Sequence, residues 1–376
     1  MYKSIVSLSV ALALTACSPQ SSEPTQSTAQ QESAASQEKE TQQLTSGVIK
    51  ENMDTSVNPG DDFFNYVNGN WVKELEIPAD KSSYGSFTIL RDESQDDVMN
   101  IIKGSAEGDF KEGSDEQKVG DFYRAYMDNE TRDSLGIQPL QPEIEMIDAI
   151  NDYSDLAAYF AYANRYGYGA PFALGQVPDF RSPETYMIYT WQSGLGLPEK
   201  DYYFKDDEAS QKIRDAYVKH IENMFTLAGF DKPAENAGML MDLETKIADM
   251  HMKKEDTRDW ASNYNKVAVE DMKSVMPDFD WNAFLSQAKL SDLENVVILQ
   301  TDFMKQLDSL ITQTSLDKWK TFLKWNLLNA TASRLTTELD QANFEFYANR
   351  PQIAARQTGF LCYEVFCRWI NPFTAY

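Results

Sequence analysis

Between Ser18 and Leu361 the chain contains no cysteine. A body of that length has no disulfide to brace it, so its fold must be held by apolar side chains buried against one another. The three cysteines, Cys17, Cys362 and Cys367, lie towards its two ends. The requirement then falls on pattern: the sequence must offer long amphipathic segments, and it does.

Asp115 to Asn129 sets Val119, Phe122, Tyr123 and Tyr126 on one side at helical spacing, with Ser114 as its N-cap. Ser154 is expected to cap a second helix running through Leu156, Tyr159 and Phe160 to Tyr166. Longer helical patterns run from about Glu208 to Ala228, from Ala234 to Glu255, and from Asp292 through the 330s. One region departs from this period. PFALGQVPDFRSPETYMIYTWQSG alternates β-branched and aromatic residues broken by Pro and Gly, and predicts a hairpin from about Phe172 to Trp191. No repeat of fixed period and no glycine-rich phosphate loop occurs. The expected fold class is mainly α with a small β-hairpin element, in one large domain or two.

The formal net charge of -25 repels phosphate backbones and anionic lipid, which argues against nucleic acid as a partner. At the N-terminus, MYKSIVSLSVALALTACSPQ carries one basic residue, Lys3, then an apolar run from Ile5 to Leu14. Such a run is too short to span a bilayer and reads as an export signal. Its end, Leu14-Thr15-Ala16-Cys17, resembles the bacterial lipobox, in which the cysteine thiol receives diacylglycerol and becomes the new N-terminus. Cys17 is therefore the expected lipidation site, and the membrane an expected partner through it; an ordinary signal peptide with a chance cysteine is the alternative. Ser18, where Asp would mark retention, resembles outer-membrane sorting, so the expected location is the bacterial cell envelope, on the outer membrane facing the periplasm. Residues 1–17 are then signal and lipobox. Residues 18–50, rich in Ser, Gln and Glu and without an aromatic, form a tether that cannot bury enough apolar area to order itself.

A catalytic zinc needs about three protein ligands, usually including two histidines one helical turn apart. Here only His220 and His251 exist, on separate expected helices and outside any H-E-x-x-H. Glu255, one turn beyond His251, would make half a site, but a solvated polar pair is the commoner use of that spacing. Cys362 and Cys367 fit neither redox nor zinc-hairpin spacing, and G-x-S-x-G is absent. No catalytic, cofactor-binding or metal-binding residue can be assigned.

From Asn58 to Glu93 the chain reads NPGDDFFNYVNGNWVKELEIPADKSSYGSFTILRDE. Physically, Phe63, Phe64, Tyr66 and Trp71 are expected to bury against helices, and Asn68-Gly69-Asn70 to turn the chain. The order D-D-F-F-x-Y-V-N-G-x-W, then I-P, S-Y-G-S-F and L-R-D-E also resembles the N-terminal signature of the neprilysin family of zinc metallopeptidases, including bacterial oligoendopeptidase O. GLPEKDYYF (Gly196 to Phe204), LETKIADMHMKKEDTRD (Leu243 to Asp259), NYNK (Asn263 to Lys266), FLKWNLL (Phe322 to Leu328) and LDQANFEFY (Leu339 to Tyr347) follow in the family's order.

This resemblance, over about Asn52 to Tyr347, implies the large multi-helical N-terminal lobe of a two-lobed peptidase whose cavity admits peptides and excludes folded proteins. The domain expected to carry it is 51–347. It implies zinc in the complete enzyme, held in a C-terminal lobe by H-E-x-x-H and E-x-x-x-D motifs, with N-A-x-Y/F positioning the substrate backbone and a later histidine stabilising the oxyanion. None of these motifs occurs here, so this chain is expected to bind no zinc and to be inactive alone. His251 falls in an A-x-x-H-like segment of the noncatalytic lobe. Where mammalian relatives carry an arginine for the substrate's free carboxylate, this chain has Ser83, which points to plain endopeptidase cleavage of oligopeptides by the complete enzyme.

After Tyr347 the resemblance stops, and Ala348 to Tyr376 carries Arg350, Arg356 and Arg368 against Glu364. The expectation for 348–376 is a tail unlike the family, left by a frameshift or premature end; a divergent natural C-terminal helix is the alternative. Three functions follow. The chain represents a membrane-tethered zinc endopeptidase, or it is a non-enzymatic envelope lipoprotein that binds peptides or a partner, or it is complemented by a separately encoded catalytic lobe.

Overall fold

The structure, a computed structural model, describes residues 47–78, 81 and 83–347. Cys17, most of the tether, Cys362, Cys367 and the 348–376 tail lie outside the described residues. The chain divides into two compact units, Met1–Arg91 and Asp92–Tyr376.

In the first unit, Asp62 caps helix α1 (Phe63–Glu74) by accepting from the Asn65 N–H at 3.0 Å. Asn68-Gly69-Asn70 does not turn the chain as expected; it lies inside α1. These residues instead let the preceding segment lie against the helix. A Cβ on Gly69 would stand 2.7 Å from Cβ of Asp54, the Asn70 amide donates to the Met53 carbonyl at 2.8 Å, and Lys73 pairs with Asp54 at 2.5 Å. Phe63 and Phe64, expected to be buried, are 67% and 60% exposed. Helix α2 (Ser86–Glu107) begins in this unit and continues into the second.

The second unit opens with α3 (Asp115–Met127), and Ser114 caps it as the sequence predicts, accepting from the Gln117 N–H at 3.2 Å. Of its aromatic stripe, Phe122 and Tyr126 are exposed and Tyr123 is half-buried. What α3 buries is Gly120, where an added Cβ would lie 2.2 Å from the Ser105 carbonyl oxygen of α2. Helices α4 (Asn129–Leu135), α5 (Gln141–Asp148) and α6 (Tyr153–Tyr166) follow. The cap of α6 is Asp152, not Ser154. Its carboxylate accepts from the N–H groups of Ser154 and Asp155 at 2.9 and 2.8 Å, while the Ser154 hydroxyl, inside the first turn, donates to Asp280 at 2.7 Å.

Four strands form one sheet: β1 (Phe172–Asp179), β2 (Ser182–Gln192), β3 (Asn265–Ala268) and β4 (Asn295–Ile298), in the order β1-β2-β4-β3. The predicted hairpin is β1 with β2, paired antiparallel with Phe172 opposite Gln192; β4 adds parallel to β2, and β3 antiparallel to β4. The helix expected from Asp292 is corrected at its start: β4 occupies Asn295–Ile298 and helix begins only at Thr301. Val296, Val297 and Ile298 are all buried, and an apolar run covered on both faces has no period to separate strand from helix. At the edge of the sheet the Asn164 side chain stands in for another strand, donating to the Phe172 carbonyl and accepting from the Leu174 N–H, both at 3.1 Å.

The remaining helices are α7 (Asp201–Phe204), α8 (Glu208–Leu227), α9 (Pro233–Met250), α10 (Trp281–Ala288), α11 (Thr301–Gln313), α12 (Leu316–Thr331) and α13 (Thr337–Tyr347). The mainly α class with a small β element holds. The main core joins these helices to one face of the sheet through fully buried Phe160, Phe172, Phe225, Trp319 and Trp325. A smaller cluster of Tyr189, Tyr264, Val297 and Leu299 forms a second core.

Candidate functional site

The two histidines lie in different surroundings. His220, on α8, is buried with its ring stacked on Phe346 of α13 at 4.5 Å and edge-on to Trp325 of α12. His251 follows the last residue of α9 in extended backbone, with Nε2 3.0 Å from the Ser193 carbonyl and its ring edge-on to Phe303. Burial pushes its pKa down to about 4, so the neutral ring donates to Ser193. The expected helical pairing of His251 with Glu255 is corrected here, because α9 stops at Met250. Gln192 draws the chain away from helix by bonding the Met252 backbone twice, N–H to Oε1 at 2.7 Å and Nε2 to carbonyl at 3.1 Å. Lys200 meets the freed carbonyls of Asp249 and His251, a cation on the negative end of α9.

Among the described residues, no group of three or more His, Cys, Asp or Glu side chains is placed to hold a metal ion. A zinc site does not fit the histidines present, since one is enclosed by aromatic rings and the other has its Nε2 engaged by a backbone carbonyl.

The most organised polar chemistry of the lobe centres on Glu244, 1% exposed on α9. Its Oε2 accepts from the Tyr203 hydroxyl at 2.6 Å and the Gly196 N–H at 3.0 Å, and its Oε1 accepts from the Tyr217 hydroxyl at 2.8 Å. Each hydroxyl is itself fixed as a donor to the carboxylate, because it accepts from a group that can only donate: the Leu197 N–H to Tyr203 at 3.0 Å and the Trp325 indole to Tyr217 at 3.1 Å. Tyr347, closing α13, bonds the Gly196 carbonyl at 3.4 Å and receives the Asn329 amide at 3.2 Å. One buried carboxylate thus ties α7, α8, α9, α12, α13 and the Gly196 loop together. Desolvation raises its pKa to about 7 against the pull of these donors, and burial also raises those of Tyr203 and Tyr217.

Glu244, within LETKIADMH, is not among the site residues expected from the sequence, nor is its partner block GLPEKDYYF. The structure shows why they occur together: Gly196, Leu197 and Tyr203 of one converge on Glu244 of the other. The available signal was a single carboxylate on the apolar stripe Leu240, Leu243, Ile247 of α9, where burial demands a partner.

The described residues thus form a helical lobe whose buried polar contacts centre on Glu244. Comparison with known proteins places that lobe. The model of Peptidase family M13 matches residues 59–362, running past Tyr347, and the chain belongs to this family. The resemblance to neprilysin-type zinc metallopeptidases is thereby borne out. Mouse endothelin-converting enzyme-like 1 is 27% identical over 329 residues, 82% of this chain and 42% of the relative. Rat endothelin-converting enzyme 1 is 27% identical over 319 residues, 81% of this chain and 41% of the relative. The Mycobacterium tuberculosis zinc metalloprotease Zmp1, solved in complex with an inhibitor, superposes with a TM-score of 0.70 at 31% identity, covering 81% of this chain and 47% of Zmp1. PepO from Lactobacillus rhamnosis shares the fold, with a TM-score of 0.59 at 16% identity over 77% of this chain and 46% of that one. The chain spans less than half the length of these relatives. Among the described residues no helix is long and apolar enough to cross a membrane.

Proposed function

We propose that this chain supplies the N-terminal lobe of a zinc metalloendopeptidase of the M13 family that cleaves small peptides, tethered at the bacterial cell envelope through lipidated Cys17. The carrying observation is the match to the Zmp1 lobe at 31% identity and a TM-score of 0.70 by a body whose described residues offer no metal-holding group. On this reading zinc chemistry resides in a part of the enzyme beyond these residues, the 376-residue chain alone is inactive, and a catalytic lobe is its necessary partner, including one encoded separately. Exposed apolar side chains support a body made to be covered: Phe63, Phe64 and Phe87 in the first unit, and Ile101 and Tyr126 in the second.

Complementation tests this. The chain is mixed with the portion of Zmp1 that it does not match, and chelator-sensitive cleavage of a short quenched peptide is followed. Activity above that of the Zmp1 portion alone, and absent on a folded protein substrate, is the expected result; no gain on mixing counts against the proposal.

A further inference from the structure

The sheet order β1-β2-β4-β3 leaves β1 on the outside, so its backbone has a free edge. Which groups that edge presents follows from the ladder. The Ser193 N–H donates to the Pro171 carbonyl at 3.2 Å, at the start of the register that pairs Phe172 with Gln192. Bonded residues alternate in an antiparallel pair, so odd-numbered residues of β1 turn their backbone groups to β2 and even-numbered ones turn them outward. The two bonds made by Asn164 agree, since they reach the Phe172 carbonyl and the Leu174 N–H.

Beyond the Leu174 N–H the edge is open. The Leu174 carbonyl and both backbone groups of Gln176 face outward, and they find no hydrogen-bond partner among the described residues. Pro178, the next outward residue, has no N–H and ends the ladder. The open stretch is therefore bounded by the Asn164 side chain at one end and by proline at the other. Such an edge is too short for sheet-to-sheet pairing with a second copy and suits a few residues of extended chain.

A groove of about 160 Å³ lies along this edge, lined by Ala161, Asn164 and Arg165 of α6, Leu174 and Gln176 of β1, and Ala288 of α10. Leu174 and Gln176 project to one side of the strand, the side on which Leu174 packs against the main core. Side chains paired directly opposite them project to that side too, into a groove walled by two alanines. Arg165 is the charged side chain of the lining; its guanidinium lies over the Tyr166 ring at 5.9 Å and pairs with no carboxylate among the described residues. It follows Asn164, at the closed end. A strand added antiparallel to β1 runs towards that end and stops there, because Asn164 already holds the Leu174 N–H and the Phe172 carbonyl. Its last residue then sets a carboxylate beside the one cation of the lining.

We propose that the β1 edge between Asn164 and Pro178 is a docking site for an extended peptide that adds antiparallel to β1, with a small apolar last residue in the groove and its C-terminal carboxylate on Arg165. The backbone bonds give affinity for any extended chain, and the arginine selects a chain end.

The test uses the full 376-residue chain without zinc and without a catalytic lobe, so its outcome is separate from that of the peptidase reading. A short fluorescent peptide of alternating threonine and valine, ending in valine with a free carboxylate, is titrated by anisotropy. Saturable binding is expected, weakened on the order of tenfold by amidating the peptide's C-terminus or by Arg165→Gln. Gln176→Pro removes an outward N–H without touching the β2 ladder and should abolish binding, whereas Gln176→Ala keeps the backbone groups and should retain it. No saturable binding to the unmodified chain, or binding that survives Gln176→Pro, overturns the proposal. Self-association of the chain that Gln176→Pro abolishes would overturn it as well, giving the edge to a second copy. Should Gln176→Pro fail to fold, the charge decides. Amidation that weakens binding to the unmodified chain but not to Arg165→Gln supports the site; amidation that has no effect, or the same effect on both chains, overturns it.

Discussion

Gly196 and His251 show how much a single position can carry. Gly196 has no room for a methyl group, because the Tyr217 hydroxyl that a Cβ would strike is held from both sides by Trp325 and Glu244. Gly196→Ala should therefore cost about 2–3 kcal/mol, as overpacking does in a fixed site, and urea denaturation will measure it. His251 is kept neutral by burial with a pKa near 4, so as pH falls below 6.5 the unfolded chain takes a proton that the folded chain refuses. Stability present above pH 6.5 is expected to fall by about 2–3 kcal/mol on the way to pH 4. His251→Gln, which keeps a donor for Ser193, should flatten that acid loss; an unchanged slope would place the titration elsewhere.

At the scale of elements, caps and periodicity were the readable part. Ser114 before α3 follows directly from residue type and position, but for α6 the expected cap is Ser154 and the structure places the cap two residues earlier, at Asp152. The choice is testable. Asp152→Ala removes the acceptor of two N–H groups and should destabilise by about 1–2 kcal/mol, while Ser154→Ala loses one bond to Asp280 and should cost less, both by chemical denaturation. Long amphipathic helices such as α8 and the β1–β2 hairpin were legible because one face differs from the other. The β4 strand was not, since both its faces are buried, and the Asn68-Gly69-Asn70 helix segment misled because its small and amide residues serve contact with Asp54 and Met53. Glu244 escaped because its partners Gly196, Tyr203, Tyr217 and Trp325 are scattered over the sequence and only the fold brings them to it.

For the whole molecule, the family blocks in sequence act as joints in space. GLPEKDYYF, LETKIADMH, FLKWNLL and LDQANFEFY supply Tyr203, Glu244, Trp325 and Tyr347 to one buried polar centre, so their common function is to fix the lobe's helices in relation to one another. The same fold leaves both histidines in packing roles. We propose that this lobe of an M13 peptidase holds no zinc of its own. The direct measurement is zinc content of the purified 376-residue chain after incubation with zinc and desalting, alongside cleavage of a quenched peptide. The account predicts no stoichiometric zinc and no chelator-sensitive cleavage; one tightly held zinc per chain with chelator-sensitive turnover would contradict it.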